Sequence, residues 1–280
     1  MTSKALFDKV SIETSKLTTR AYSTSFTIGI RCLAKELRNP IYAIYGFVRF
    51  ADEIVDSFHD YNKSDLLFRF RNDTLTAIEE KISVNPILNS FQATVNEYEI
   101  DIDLIETFLK SMEMDLTLLS CDQKDFDEYV LGSAEVVGLM CLHVFCQRDK
   151  QLFAKLKPYA MKLGSAFQKI NFLRDLNADF NGLGRTYFPE VNIKEFDEED
   201  KRKIEQSIKE EFDAGFEGIR QLPRSSKLGV YIAYVYYLAL FRKIRNTPSG
   251  YVLKKRISVP NTEKLSILCF SYLKHQFNLI

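Results

Sequence analysis

The chain has little of what marks a disulfide-stabilised, nucleic-acid-binding or zinc-dependent protein. Its five cysteines are odd in number and include no C-x-x-C pair, which argues against a disulfide framework or structural zinc site and favours a reducing cytoplasm. The 38 basic and 38 acidic residues balance, so no surplus positive charge is available for non-specific attraction to phosphates, and no nucleic-acid partner is expected. The three histidines, His59, His143 and His275, share no metal-ligand spacing.

We expect no targeting signal and no membrane-spanning segment in this sequence. Residues 1–16 lack the apolar core of a signal peptide and, because they contain acids, do not resemble a transit peptide. The most apolar uncharged stretch, 228–241, is shorter than the roughly 20 residues that span a bilayer and is expected to be a buried helix. The last residues, SILCFSYLKHQFNLI, are too short and polar for an anchor. A peripheral membrane contact remains open.

Glycine and proline are scarce, at 11 and 7 residues, and apolar residues recur at helical spacing through most of the chain. We therefore predict an all-α fold in one domain, residues 1–280. Asn39-Pro40 predicts a helix start before IYAIYGFVRFADEIVD, and 58–65 is expected to be a polar loop. The mostly apolar stretch 126–147 is predicted to be a central helix packed on nearly all sides.

Two of the predicted helices combine a mostly apolar surface with one narrow polar stripe. Residues three and four positions apart share a helix face, and both stripes follow that spacing. The first stripe consists of Tyr45, Arg49, Asp52 and Asp56. The second consists of Gln168, Asn171, Asp175 and Asp179, with Arg174 beside it.

A pair of aspartates one turn apart is more often a solvated surface than a site, and it weakens a helix by roughly 0.2–0.5 kcal/mol. Its repetition on two apolar helices favours a site instead, because four carboxylates converge if the stripes face each other. Such oxygen ligands suit Mg²⁺ or Mn²⁺. Since Mg²⁺ is often shared with substrate phosphates, the neighbouring arginines indicate a metal–diphosphate site.

These motifs resemble those of the squalene/phytoene synthase family. The aspartate-rich motifs are D-E-x-x-D at 52–56 and N-x-x-R-D-x-x-x-D at 171–179. The other matching segments, in family order, are 22–26, 42–45 with Arg49, 112–116, Tyr129, Ala134, 137–140 and G-R-T-Y-F-P at 184–189. The likeness extends over nearly the whole chain, and the order and spacing of the segments make it specific.

The resemblance implies a helical bundle of the isoprenoid (terpenoid) synthase type around a central apolar cavity. It also implies a prenyltransferase that joins two allylic prenyl diphosphates head to head through a cyclopropylcarbinyl diphosphate. The implied metal ligands, for Mg²⁺ or Mn²⁺, are Asp52, Asp56, Asp175 and Asp179. The implied diphosphate contacts are Ser23, Ser25, Arg49, Gln168, Asn171, Arg174, Arg185 and Arg256. Phe26 and tyrosine rings would stabilise a carbocation by cation–π contact, and Tyr45 would orient the departing diphosphate or relay a proton beside it.

The chain departs from the family pattern at two positions that bear on the site. Glu135 replaces a small residue, and its direction relative to the cavity is left open. Phe241 falls where relatives carry a tyrosine, so no catalytic hydroxyl is assigned to it. For Asp115 in the M-E-M-D-L segment, pairing with a basic residue and a surface position remain equal alternatives.

The expected substrate is geranylgeranyl diphosphate, two molecules of which would yield 15-cis-phytoene through prephytoene diphosphate, with release of diphosphate and without NADPH, in carotenoid biosynthesis. The chain length and the G-R-T-Y-F-P segment resemble bacterial phytoene synthases, and Ile30 is small enough to admit a longer prenyl chain.

The alternatives are squalene or dehydrosqualene synthesis from two farnesyl diphosphates, and a non-catalytic assembly or binding protein, which would be expected to lose the aspartates. A carboxylate-bridged metal bundle would need Glu-x-x-His pairs, which these helices lack. The expected partners are prenyl diphosphates, together with a peripheral membrane contact that releases the hydrophobic product; the oligomeric state stays open.

Overall fold

A computed structural model describes residues 2–117, 121–178, 187–189, 191, 195–277 and 279–280. All regular secondary structure in these residues is helical, which confirms the all-α prediction. The helices are α1 Ser3–Tyr22, α2 Thr24–Arg31, α3 Lys35–Ser57, α4 Lys63–Glu80, α5 Pro86–Tyr98, α6 Ile102–Met114, α7 Gln123–Val130, α8 Val136–Cys146, α9 Lys150–Ala178, α10 Glu198–Gln221, α11 Arg224–Arg245, α12 Ser249–Val252 and α13 Asn261–Gln276. A π-helical segment, Leu131–Glu135, joins α7 to α8.

Several helices begin where the sequence supplies a capping side chain. The Asn85 side chain accepts a hydrogen bond from the backbone N–H of Ile87 at 3.0 Å, and Pro86 opens α5. Ser23 Oγ accepts a hydrogen bond from the backbone N–H of Phe26 at 3.2 Å and caps α2. A cap of this kind stabilises a helix by about 1 kcal/mol. Local sequence therefore sets the start of both helices.

The helix that carries the first acidic stripe starts earlier than Asn39-Pro40 predicts, and that prediction is wrong. α3 begins at Lys35 and encloses Pro40, although a proline inside a helix removes a backbone hydrogen bond. The chain just before Pro40 is anchored in the core, because Leu33 and Leu37 are almost fully buried. Tertiary packing thus outweighs the local signal. The loop after α3 occupies residues 58–62, close to the prediction, and α4 takes the remaining positions.

α3 has one face in the first hydrophobic core. Phe47 is fully buried and stacks on Phe91 of α5, with ring centroids 3.9 Å apart. Its ring also lies 5.3 Å from that of Phe108 of α6. Burial of such a ring stabilises the fold by roughly 1.5–3 kcal/mol. The apolar face of α3 is thereby fixed, and the orientation of its polar stripe follows from it.

Close helix crossings shape the second hydrophobic core, which α8, α9, α10 and α11 form. A Cβ atom at Gly229 of α11 would lie 2.7 Å from the backbone oxygen of Gly29 in α2. A Cβ atom at Gly218 of α10 would lie 2.4 Å from Cβ of Tyr159 in α9. Only glycine permits these approaches, and they hold α2, α9, α10 and α11 around a shared interior space.

The stretch 126–147 forms the predicted central helix, although a π-helical segment interrupts it. Gly132 in that segment allows close contact with α6, since a Cβ atom there would lie 2.5 Å from Cβ of Ser111. A π-helical turn inside a helix often adjoins a functional site. Glu135, at the end of the segment, is half-buried outside the lining of the central cavity. Burial raises its pKa, and its charged neighbours include Lys162 and Glu211.

One helical stretch in the described part of the chain, Gln123–Cys146, is long and apolar enough to cross a membrane by length and composition alone. Half of its most apolar window is buried inside the protein, as in the central helix of a bundle. Core helices of soluble proteins satisfy the same criterion. The stretch 228–241, expected to be a core helix, lies in α11 and contributes buried residues such as Ile232 and Leu240.

Candidate active site

A cavity of about 660 Å³ lies among α2, α3, α8, α9, α10 and α11. Its lining changes from polar to apolar along both α9 and α3. On α9 the lining residues run from Asp175, Asn171 and Gln168 to Gly164, Ala160 and Leu156. On α3 they run from Asp56, Asp52, Arg49 and Tyr45 to Ile44 and Ile41. The cavity therefore has one charged end and one apolar end.

The two polar stripes predicted from the sequence line this one cavity. Of the predicted site residues, those lining it are Ser23, Ser25, Phe26, Tyr45, Arg49, Asp52, Asp56, Gln168, Asn171, Arg174, Asp175 and Arg256. The remaining two, Asp179 and Arg185, lie outside the described residues. The stripes thus contribute to a common site rather than to two separate solvated surfaces.

Burial and a neighbouring carboxylate both act on Asp52. Its side chain keeps 34% of its surface accessible, but that surface faces the cavity. Burial and the nearby carboxylate of Asp56 raise the pKa of Asp52 to about 8, against the opposing effect of Arg49. The ionised form of Asp52 is therefore disfavoured in the metal-free protein, and a bound cation would stabilise it.

Arg49 contacts Asp52 of its own stripe and two groups, Glu53 and Tyr22, that the sequence analysis did not connect to it. Its Nη2 atom lies 2.5 Å from Oε2 of Glu53, and its Nη1 atom lies 3.9 Å from Oδ2 of Asp52. Its guanidinium also lies 4.3 Å from the ring centroid of Tyr22. Arg49 Nε is buried and has no hydrogen-bond partner among the described residues. The guanidinium thus keeps an unsatisfied donor next to the charged end.

Two guanidinium groups flank the carboxylate of the second stripe. Arg174 donates a hydrogen bond to Asp175 Oδ2, and Arg256 Nε lies 2.8 Å from Asp175 Oδ1. Arg256 follows α12 and keeps 69% of its side-chain surface accessible. A side chain from the C-terminal part of the chain is therefore drawn to the end of α9.

Amide and hydroxyl side chains connect the second stripe to its neighbours. Gln168 Nε2 donates to Ser133 Oγ of the π-helical segment at 3.2 Å. Tyr237 of α11 donates its hydroxyl to Asn171 Oδ1 at 3.3 Å, and its ring stacks on Phe167 with centroids 4.0 Å apart. These contacts fix the orientation of both amides at the cavity wall.

The predicted aromatic and hydroxyl residues lie at the junction of α2 and α3. The ring of Phe26 lies 5.7 Å from that of Tyr45 and 6.3 Å from that of Tyr237. Burial raises the pKa of Tyr45 to about 12, and its hydroxyl contacts Ser23. Tyr45 therefore stays protonated near neutral pH and can act as a hydrogen-bond donor. The Ser23 hydroxyl is already engaged as the cap of α2.

Sequence reasoning missed a cluster around Asp115. This residue is buried, lines the cavity and accepts hydrogen bonds from the hydroxyls of Tyr129 at 2.8 Å and Tyr187 at 3.1 Å. The surface alternative is wrong because Asp115 is buried, and two of its hydrogen-bond partners are tyrosine hydroxyls. All three residues lie in segments that match the family pattern, which was the available signal. Tyr22, which belongs to the matching segment 22–26, and Tyr237, which no motif indicated, also line the cavity.

Within the described residues, no group of three or more histidine, cysteine or acidic side chains is close enough to hold a metal ion. The carboxylates of Asp52, Asp56 and Asp175 share the cavity without forming such a group. Asp179, the fourth predicted ligand, lies outside the described part of the chain. The geometry thus joins the two stripes in one site but does not bring the three described carboxylates together around one point.

An all-α bundle around an apolar cavity with a charged end has the architecture of the isoprenoid synthase class. The crystal structure of a dehydrosqualene synthase in complex with a ligand has this fold: its TM-score is 0.82 at 23% identity, over 95% of this chain and 98% of that one. Within that class, the chain belongs to the squalene/phytoene synthase family, whose sequence model matches residues 19–263.

Two curated relatives illustrate the range of the family. The chain is 27% identical over 279 residues to chloroplastic phytoene synthase 1 of Solanum lycopersicum, covering 90% of this chain and 65% of that protein. It is 25% identical over 182 residues to the 4,4'-diapophytoene synthase of Staphylococcus haemolyticus, covering 62% of this chain and 61% of that protein. The chain therefore spans less than two thirds of the length of these relatives.

Proposed function

We propose that the protein is a prenyltransferase that condenses two allylic prenyl diphosphates head to head. The observation that carries this proposal is the single cavity with both aspartate stripes and three arginines at one end and apolar walls beyond. A prenyl diphosphate has the matching polarity, with an anionic head and a long hydrocarbon tail. Family membership supports the same reaction class.

The side chains at the charged end would bind and orient the diphosphates. Arg49, Arg174 and Arg256 would form charge-assisted hydrogen bonds to diphosphate oxygens, and the amides of Gln168 and Asn171 would complete the contacts. These donors stabilise the negative charge that develops when the allylic C–O bond breaks. Beyond them, the apolar walls exclude water from the carbocation.

Aromatic rings lie where that carbocation would form. Phe26 lies between Tyr45 and Tyr237, and a cation over such rings is stabilised by about 0.5–2 kcal/mol. Tyr45, whose pKa is raised to about 12, would donate a hydrogen bond to the departing diphosphate. This arrangement would favour attack by the second prenyl chain over capture by water.

The donor set fits Mg²⁺ or Mn²⁺ at the first stripe. Asp52 and Asp56 are hard oxygen donors one turn apart. Burial and Asp56 raise the pKa of Asp52, and a divalent cation would favour its ionised form. Asp52 and Asp56 on one stripe, and Asp175 with Asp179, which lies outside the described residues, on the other would hold separate metal ions, with diphosphate oxygens as further ligands. When bound, the metal supplies Lewis-acid stabilisation of the leaving diphosphate.

The proposed substrate is geranylgeranyl diphosphate and the proposed product is 15-cis-phytoene, formed without NADPH. The relative from Solanum lycopersicum is a phytoene synthase, and Ile30 lines the cavity as a small wall residue. The five cysteines are unpaired, which supports the expected cytoplasmic location. A peripheral membrane contact would serve release of the hydrocarbon.

Product analysis tests the substrate assignment. Purified protein is incubated with Mg²⁺ and either geranylgeranyl or farnesyl diphosphate, with and without NADPH, and the hydrocarbon is identified by mass spectrometry. We expect a C40 product from the longer substrate regardless of NADPH. A C30 hydrocarbon as the main product, or a requirement for NADPH, contradicts the assignment.

A binding experiment separates an enzyme from a non-catalytic relative. Mg²⁺ is titrated calorimetrically into the protein with and without inorganic diphosphate. A diphosphate synthase should bind the pair far more tightly than either component alone. Failure to bind the pair, together with no diphosphate release from either prenyl substrate, would refute the enzymatic proposal.

A further inference from the structure

We propose that Tyr159, seated against Gly218, closes the apolar end of the cavity and sets the length of prenyl chain that the protein accepts. This inference rests on the proposed function, because it concerns the tail of the same substrate. Tyr159 belongs to neither acidic stripe and to none of the matching family segments. Its role follows from its position along α9 and from its packing.

Positions along α9 give the distance from the charged end of the cavity to its apolar end. Asp175 marks the charged end, and Tyr159 lies sixteen positions earlier on the same helix and lines the same cavity. At a rise of 1.5 Å per residue, the two Cα positions are separated by about 24 Å along the helix axis. A tail that extends from a diphosphate near Asp175 therefore runs toward Tyr159.

The wall of α9 changes in side-chain size along this path. Phe167 and Leu163 are large, Gly164 and Ala160 are small, and Tyr159 and Leu156 follow as large side chains toward the apolar end. Gly138 of α8 approaches the Ala160 position closely, with its hypothetical Cβ atom 3.2 Å from the Ala160 backbone oxygen. The backbone in this region is therefore well fixed, and the Tyr159 side chain follows directly after the small Ala160.

Gly218 explains why Tyr159 can occupy this position. A Cβ atom on Gly218 would lie 2.4 Å from Cβ and 3.1 Å from Cγ of Tyr159. α10 thus approaches the base of the Tyr159 side chain as closely as glycine allows. Because α10 occupies the space behind that base, the side chain has no room to withdraw toward α10. The rest of the apolar end is formed by residues such as Ile219 and Leu222.

The consequence is a steric limit on the tail. Replacing Tyr159 by alanine removes the ring and the hydroxyl, which together contain more non-hydrogen atoms than one isoprene unit. The longer of two prenyl chains should gain most from the space that is opened. Apolar pockets discriminate roughly 10–200-fold for a single methylene group, so a change of at least about tenfold in chain-length preference is expected.

Binding of non-ionising analogues tests this without relying on turnover. The affinities of the S-thiolo analogues of farnesyl and geranylgeranyl diphosphate are measured by calorimetry with Mg²⁺, for the wild type and for Tyr159→Ala. We expect the ratio of affinities to shift toward the geranylgeranyl analogue by about tenfold or more. Tyr159→Phe, which keeps the ring, should retain the wild-type ratio, and so should Lys155→Ala on the exposed side of α9.

Tyr159→Leu keeps the proposal testable if the alanine variant does not fold. Leucine retains the apolar contact beside Gly218 and removes only the far part of the ring, so a smaller shift in the same direction is expected. An unchanged ratio in a folded variant that binds both analogues overturns the role of Tyr159 alone. A wild-type protein that binds neither analogue overturns the proposed function, and this inference with it.

Discussion

Arg256 Nε lies 2.8 Å from Oδ1 of Asp175, which joins the segment after α12 to the end of α9. The arginine keeps 69% of its side-chain surface accessible, and exposed ion pairs contribute only about 0–1 kcal/mol to stability. The contact therefore does little for the fold. The contact matters because it places a long cationic side chain beside Asp175, a carboxylate that the sequence predicts as a metal ligand.

We expect Arg256→Ala to weaken diphosphate binding while leaving stability nearly unchanged. Loss of a charge-assisted hydrogen bond costs roughly 1.5–3 kcal/mol, so KM for the prenyl diphosphate should rise at least about tenfold. Steady-state kinetics and a thermal unfolding curve measure the two effects. Lys255→Ala, an exposed neighbour outside the cavity lining, is the matched control. Equal KM values for both variants and the wild type would show that Arg256 does not contribute to diphosphate binding.

Asp52→Asn should abolish turnover without damaging the fold. The substitution removes one carboxylate from the pair with Asp56 and relieves their repulsion, so stability should stay the same or increase. Turnover with Mg²⁺ should fall more than a hundredfold, which corresponds to about 2.7 kcal/mol in the activation barrier. Asp60→Asn, in the exposed loop after α3, serves as the control. A variant that keeps over a hundredth of the activity argues against Asp52 as a metal ligand.

Stability of the metal-free protein should depend on pH through Asp52. The pKa of this group is raised from 3.8 to about 8 in the folded protein, so the folded state binds the proton more tightly than the unfolded state. The resulting stabilisation is complete below the unfolded pKa and is lost as the pH rises through the folded pKa. We expect the urea midpoint, measured with a chelator present, to fall across that window.

The Asp52→Asn variant provides the comparison for this pH dependence. Asparagine does not titrate, so the decline in the urea midpoint between about pH 4 and pH 8 should become shallower. Parallel pH profiles for the variant and the wild type would show that the Asp52 carboxyl does not carry the raised pKa.

Gly229→Ala tests the helix crossing that positions α2 at the cavity. A Cβ atom there would lie 2.4 Å from Leu33 Cδ2 and 2.7 Å from the Gly29 oxygen, and overpacking of this kind costs about 1–3 kcal/mol. Urea unfolding measures the loss. Gly250→Ala in α12 is the matched control, because a Cβ atom there meets nothing within 4 Å. If the two substitutions have equal effects, the Gly29–Gly229 crossing is not tightly packed.

Local patterns predicted the parts of this molecule that depend on a single helix. Tyr45, Arg49, Asp52 and Asp56 share a face because helical geometry places residues three and four positions apart together. The apolar residues around them predicted a buried helix for the same reason. Pro40 shows the limit of such signals, because α3 begins at Lys35, before the expected start, where Leu37 is buried in the core.

Contacts between helices could not be predicted in the same way. Nothing near Asp115 in the sequence indicates that the hydroxyls of Tyr129 and Tyr187 bind its carboxylate. The direction of the Glu135 side chain could not be predicted either, because the π-helical turn changes which residues share a helix face. Such contacts depend on how separate helices pack, and that depends on the whole core.

By itself, the sequence determined that the chain is helical, that two helices carry acidic stripes, and that the motifs follow one family's order. Only the tertiary structure decided that both stripes line one cavity, that Arg256 reaches Asp175, and that Tyr159 lies against Gly218. The physical reason is that spacing along a helix is set by backbone geometry over a few residues. The distance between helices is set instead by side-chain volumes far apart in the chain, such as the missing Cβ atoms of Gly218 and Gly229.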